Sequence, residues 1–272
     1  MPRRLAGSLC LLLVAASGCF VAKDKQPGVS MGVALPSKFV HRGMTLVDKP
    51  VLQPDLAVVL PVADTTDTVG VEVEANIDLY NGTGNAWFPD GHGGHITQFE
   101  VIADYTHKFG DLTVRGGVHN YNLANGIEFI AGSPAGSQRG DTTEAFVLAS
   151  MDVLEATPYF SWNYDFVEVD SSYYRGGLTE DFELAKGWKL TLDGSLGYAG
   201  SGQSQWMYGI ATSGFADLRG EAVVAWDYDE RTTIDFGLHG SLIVDSQIKD
   251  WFQLIGVDDD VIWVSVGMTW SF

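Results

Sequence analysis

Three residues invite a catalytic reading. His119, Ser195 and Asp235 are of the types that form a nucleophile, base and orienting acid. Each falls on a different stretch of alternating residues, on the polar face, where a water-facing lining would carry such side chains anyway. No His on an apolar face is followed two residues later by Ser, the spacing a serine hydrolase working in lipid from one strand would need. Catalysis is therefore not expected. Gly91-His-Gly-Gly-His95 places two imidazoles close together but fixes no acidic partner, so it is read as a glycine-rich loop. Asp258-Asp-Asp260 lacks the spaced oxygen ligands of a dedicated calcium loop and is read as a solvated loop end. No cofactor or resident metal is expected. The two cysteines are Cys10 and Cys19, so the body of the chain offers no disulfide, thiolate nucleophile or cysteine metal site.

The elements carrying these residues are strands. From Asp260 to the end, Ile262, Val264, Val266, Met268, Trp270 and Phe272 share one face, and Val261, Trp263, Ser265, Gly267, Thr269 and Ser271 the other. Period two with one apolar face is a strand half in an apolar medium. An aromatic terminal residue on such a strand is similar to the C-terminal signal of outer-membrane barrels. Trp270 and Phe272 are accordingly the candidate assembly signal, read by the barrel-assembly machinery.

Val69–Leu79 repeats the pattern, with Glu72, Glu74 and Asp78 on the face opposite Val71, Val73 and Ile77. Charges on a lipid face cost a few kcal/mol each near mid-bilayer, so the acidic face must look inward. The same logic assigns Glu100 and Asp104 to the lumen, then Arg115 and His119, then Asp165. Arg175, Asp181 and Glu183 follow on the next strand, Lys189 and Asp193 on the one after, then Asp217, Arg219 and Glu221, and finally Asp235 and His239. Counting Asp227, thirteen acids face four bases inside, which favours cations in a low-dielectric tube.

Twelve strands are expected: Phe39–Leu46, Leu52–Val62, Val69–Leu79, Phe99–His107, Leu112–Tyr121, Thr143–Met151, Tyr159–Phe166, Tyr173–Leu184, Trp188–Tyr198, Phe215–Tyr228, Ile234–Leu242 and the terminal strand. The facing of the first hairpin is ambiguous. Connections alternate short and long, as periplasmic turns and external loops do. Trp188 and Tyr198 share the outer face ten residues apart, roughly 26 Å at a 40° tilt, against an apolar band of about 25 Å. The fold class is thus all-β, a transmembrane antiparallel up-and-down barrel in lipid.

Residues 1–18 read as a secretory signal: Arg3 and Arg4, a short apolar core, then small residues. Cys19 at the cut is a candidate for lipidation. Residues 19–36 read as a periplasmic lead-in and 37–272 as the barrel. The net charge of −19 falls to −21 when Arg3 and Arg4 leave with the signal, which disfavours nucleic acid as a partner. Localisation to the bacterial outer membrane follows, with outer-membrane lipid and small solutes or cations as partners.

Ser37-Lys-Phe-Val-His-Arg-Gly-Met-Thr45 followed by Val51-Leu-Gln-Pro54 resembles the opening of the TorF family of outer-membrane proteins, in which an aromatic, an Arg-Gly pair and a downstream Gln mark the first hairpin. Pro158-Tyr159, Asp165-Phe166, Tyr173, Gly177-Leu178 and Leu196-Gly197-Tyr198 are also similar to it. The Asn81–His95 stretch departs from the family. The resemblance implies a barrel and names no cargo. The function expected is a passive, weakly cation-preferring channel for small solutes. A non-conducting surface barrel is the alternative, and an enzyme acting on lipid a lesser one.

If the terminal strand is both signal and closing element, deleting Trp270–Phe272 leaves periplasmic aggregate. A heat-modifiable barrel recovered from outer-membrane fractions of that truncation would refute the assignment.

Overall fold

The computed structural model describes residues 27–63, 65–80, 93–122, 141–153 and 156–272. The signal, Cys19 and the start of the lead-in lie outside this set, as do the stretches 81–92, with His92, and 123–140.

Twelve strands close into one antiparallel barrel. They are β1 (Gly28–Pro36), β4 (Val51–Pro61), β5 (Thr68–Asp78), β6 (Ile96–Phe109), β7 (Leu112–Asn122), β8 (Thr142–Met151), β9 (Ala156–Asp165), β10 (Ser171–Ala185), β11 (Trp188–Ala199), β12 (Gly214–Asp227), β13 (Thr232–Ile243) and β14 (Asp260–Ser271). A separate two-stranded hairpin, β2 (Phe39–His41) and β3 (Met44–Val47), sits between β1 and β4. Among the described residues two short helices occupy loops: α1 (Ser201–Tyr208) and α2 (Ser246–Ile255).

The strand count agrees with the sequence, but the identity of the first strand does not. Gly28–Pro36, placed in the lead-in, is β1 and closes the ring. It pairs with β14 from Ser30↔Ser271 to Pro36↔Ser265 and with β4 from Gly28↔Val59 to Ala34↔Gln53. The Phe39–Leu46 segment is not a wall strand. The reason is visible in the side chains. Met31 and Leu35 stand exposed while Ser30, Gly32, Ala34 and Pro36 face inward, so the inner face is small rather than polar and gives a faint alternation. The barrel therefore begins near Gly28, not at residue 37.

Elsewhere the period-two reading matches the structure. In β14 Val261, Trp263, Ser265 and Thr269 are buried, whereas Ile262, Val264, Val266 and Trp270 are exposed on the outer surface. Aromatic contacts ring both ends of the wall. Trp188 stacks on Trp226 at 5.5 Å, and Tyr228 packs edge-on against Trp226. At the other end Tyr174, Tyr198 and Phe215 meet edge to face. Short turns lie at one end and the long connections at the other, where residues 166–170 between β9 and β10 are the short exception. In outer-membrane barrels the short ones are periplasmic.

An outward position near the middle of β14 tests this facing. Val266→Arg should lower stability in lipid vesicles by about 2–4 kcal/mol, the cost of a basic residue on the lipid face near the midplane. Equilibrium unfolding in urea measures it, and a neutral result would place Val266 away from lipid.

Candidate lumen and its plug

Twelve strands enclose a space wider than their own inward side chains fill; eight strands are about the limit for that. Here the extra space at the extracellular end is taken by the β2–β3 hairpin. His41-Arg42-Gly43-Met44 is a two-residue turn with positive φ at both central positions, 47° at Arg42 and 81° at Gly43. That twist suits a tight hairpin, and glycine serves the second position without strain. A side chain at 43 would also collide, because a Cβ there would lie 2.7 Å from Asp217 Cβ and 2.9 Å from Ile243 Cδ1.

Phe39, Met44, Leu46 and Val47 of the hairpin join Met207 and Tyr208 of α1 and Ile248 and Phe252 of α2 in one buried cluster. Asp245 caps α2 by accepting from the N–H groups of Gln247 and Ile248, which fixes the angle at which that helix enters. The Tyr208 hydroxyl donates to the Arg42 carbonyl at 2.7 Å. Burial pushes that phenol well above its ordinary range, so it remains the neutral donor.

Arg42 is the polar lock. Its Nη1 and Nη2 donate to the two carboxylate oxygens of Glu144 on β8 at 2.8 and 2.6 Å, and its guanidinium lies 4.4 Å from the centre of the Tyr173 ring. Glu144 also accepts from the Tyr121 hydroxyl and Asn163 Nδ2. A buried charge pair of this kind holds only where the remaining lone pairs are satisfied, and here they are. Neither Arg42 as a lock nor Glu144 was singled out from the sequence. The signal available was the Arg-Gly pair at a hairpin tip.

The expected inward residues are found in a set of interior contacts. Arg175 donates to Asp217 Oδ2 at 2.6 Å and to Ser195 Oγ at 2.8 Å, while the Tyr173 hydroxyl donates to Asp217 Oδ1. Asp217 is fully buried. Arg115 donates to Asp104 at 2.7 Å and lies 3.7 Å from Glu72. Arg219 pairs closely with Glu221, and His119 with Glu100. Asp193 accepts from Thr179 and Tyr159, and Asp165 from Thr142 and three successive backbone N–H groups, those of Val167, Glu168 and Val169. Lys189 lies 3.3 Å from Asp181, and Asp235 folds over Gly267. Asp78 is buried and caps the Tyr80 N–H, whereas Glu74 is half-buried on β5 and Glu183 is exposed on β10. Arg115, Asp181 and Lys189 remain 22–31% exposed, so the interior is wetter toward the short-turn end than under the plug.

The structure does not bring the proposed triad together. His119 is engaged with Glu100, Ser195 with Arg175, and Asp235 sits on β13 against β14. A different Ser-His-acid group does form. His239 Nε2 lies 2.9 Å from Ser265 Oγ, and His239 stacks on Trp263. Its Nδ1 is 3.7 Å from Glu221, too far for a hydrogen bond, so no acid orients the ring. Ser265 and His239 are both buried. The group packs the interior. Among the described residues no cluster of three His, Cys, Asp or Glu could hold a metal ion.

No family model and no curated protein matches this chain. Solved structures do. An outer-membrane channel of the COG4313 group from Pseudomonas putida F1 superposes with a TM-score of 0.59 at 9% identity, covering 95% of this chain and 100% of that one. The NanC porin gives 0.51 at 11% identity, covering 88% and 98%. The KdgM porin gives 0.47 at 10% identity, covering 90% and 99%. The likeness is one of fold: this chain is an outer-membrane β-barrel of porin-like architecture.

Removing one partner of the lock isolates its contribution. Glu144→Gln leaves a buried guanidinium without its counter-charge and should cost about 3–5 kcal/mol in equilibrium unfolding, while replacing both Arg42 and Glu144 by apolar residues should recover most of it. A single-variant loss below about 1 kcal/mol would mean that the pair is solvated.

Proposed function

We propose that this barrel is a passive channel of the outer membrane for small solutes, weakly preferring cations, whose conductance is limited by the β2–β3 hairpin. The observation that carries the reading is the polar interior. Charged side chains from β4 through β13 face inward, acids outnumber bases among them, and their exposure rises toward the short-turn end. Such a lining has no purpose in a barrel filled for stability alone, since apolar side chains of equal volume would pack at lower cost. Membership of the TorF family belongs to the same proposal and rests on the Ser37–Thr45 and Val51–Pro54 motifs. So do recognition of Trp270 and Phe272 by the barrel-assembly machinery, and lipid and small cations as partners.

One observation favours a second reading. The hairpin, α1 and α2 together form a continuous buried cluster under the extracellular mouth. If that cluster never parts, the chain is a closed barrel with a surface role. No arrangement among the described residues supports a lipid-acting enzyme, because the one Ser-His contact is buried inside.

Planar-bilayer recordings decide between them. The channel reading expects small unit steps that grow when residues 39–47 are replaced by a Gly-Ser linker, and reversal potentials favouring potassium over chloride. Preference should be greater in dilute salt, because screening acts over about 8 Å at physiological strength. Silence in both forms supports the closed barrel, and a chloride preference overturns the cation reading.

A further inference from the structure

Most interior acids have a donor of their own. On one wall two acids, Glu72 and Glu74, each keep a buried oxygen without one. Asp55 of β4 lies opposite Glu74 of β5, and Glu74 lies opposite Glu100 of β6, so three carboxylates stand in one transverse row. Glu72 is two residues further toward the short-turn end. One row toward the extracellular side are amides: Gln53 Nε2 donates to Asn76 at 3.0 Å, and Gln98 Nε2 donates to Glu100. The oxygens Gln53 Oε1, Glu72 Oε1, Glu74 Oε1 and Gln98 Oε1 are buried and accept no hydrogen bond. Gln98 is only 2% exposed; its Nε2 is used by Glu100 while its Oε1 is left without a donor.

Like charges directly opposite one another on a sheet destabilise it. A buried acceptor without a donor costs about 1–3 kcal/mol. This wall carries both defects at once. Its nearest bases do not relieve them, since Arg115 is engaged with Asp104 and reaches only Glu72, while His119 is engaged with Glu100. What the wall lacks is positive charge accompanied by oxygen-seeking coordination. Neighbouring strands are about 4.8 Å apart, which spreads the carboxylates along the row. No three acids among the described residues converge on a point, so a chelated divalent ion does not fit. A monovalent cation does, because weak, repeated oxygen sites let an ion enter and also leave. Directly across the twelve-strand ring stand β10, β11 and β12, which carry Arg175, Lys189 and Arg219. Each of those bases is paired with an acid of its own, Asp217, Asp181 and Glu221, so none of the three offsets the carboxylates of the β4–β6 wall.

We propose that the β4–β6 wall is the cation path of this barrel, holding monovalent alkali cations among Gln53, Asp55, Glu72, Glu74, Gln98 and Glu100. Glu74, flanked by a carboxylate on each side, is the residue that sets preference for cation over anion. The role in conduction rests on the channel reading above; the binding does not.

Two measurements separate these. Caesium chloride soaked into crystals of the full barrel should give anomalous density beside Glu74, lost in Glu74→Gln. The amide keeps the side-chain shape and can donate to Asp55 or Glu100, so the variant is expected to fold at least as well as the parent. In planar bilayers Glu74→Gln should move the potassium-to-chloride permeability ratio toward unity, while Glu230→Gln in a short turn leaves it unchanged. Caesium on the wall in a silent barrel sustains the site and ends the channel reading. A cation-selective channel whose ratio is unmoved by Glu74→Gln overturns the inference and leaves the channel reading standing. Caesium absent from the wall overturns the site.

Discussion

Within a bilayer each backbone amide must find its partner in the protein, and a sheet can meet that demand only by closing on itself. The seam between β1 and β14 is where this chain does so, in an unbroken register from Ser30↔Ser271 to Pro36↔Ser265. The Phe272 N–H extends it by donating to the Val29 carbonyl. Closure also tolerates a local fault. Pro54 has no N–H to give, and the pairing between β4 and β5 skips from Leu52↔Ile77 to Asp55↔Glu74 without a change of register. The alternation of lipid-facing and interior residues survives the gap, and with it the placement of the acids along β5.

Closing twelve strands fixes the width, and the width creates the second requirement, something to occupy the interior. The chain meets it in two ways. Under the extracellular mouth, apolar residues of the hairpin and helices pack as in a soluble core. Below, charged groups are paired across neighbouring strands, with glycines opposite the larger ones. At Gly197 a Cβ would fall 2.0 Å from the Tyr173 hydroxyl and 2.4 Å from Asp217 Oδ1, so the absence of a side chain there is what admits that bonded pair. Gly32 does the same for Asp55. Glycine in these strands is thus a seat for a neighbour's side chain.

Much of this was legible in the sequence, and the parts that were not have a common cause. Period two identifies β5, β11 and β14 because lipid on one side and polar groups on the other give maximal contrast. It fails for β1, whose inner face is small, and misplaces the hairpin, whose alternating Phe39, Met44 and Leu46 face other side chains rather than lipid. Alternation reports the contrast between two faces and not the medium causing it. The acids inside were readable singly. That Asp55, Glu74 and Glu100 stand in a row depends on the register of β4, β5 and β6, and that Glu144 receives Arg42 depends on a contact 102 residues long; composition encodes neither. The triad suggested by residue type failed for the same reason: His119, Ser195 and Asp235 belong to strands that do not adjoin.

The seat of Arg42 has a consequence for the order in which the molecule is made. The guanidinium reaches a carboxylate 102 residues away, and its carbonyl a hydroxyl 166 residues away. Contacts of such separation carry a large loop-closure entropy and form after local hairpins. The plug belongs to the first fifth of the chain, yet its seat is built from β8, β10, α1 and α2. The hairpin can take this seat only once β8 and β10 stand in the wall, so its docking depends on strands far downstream in the chain.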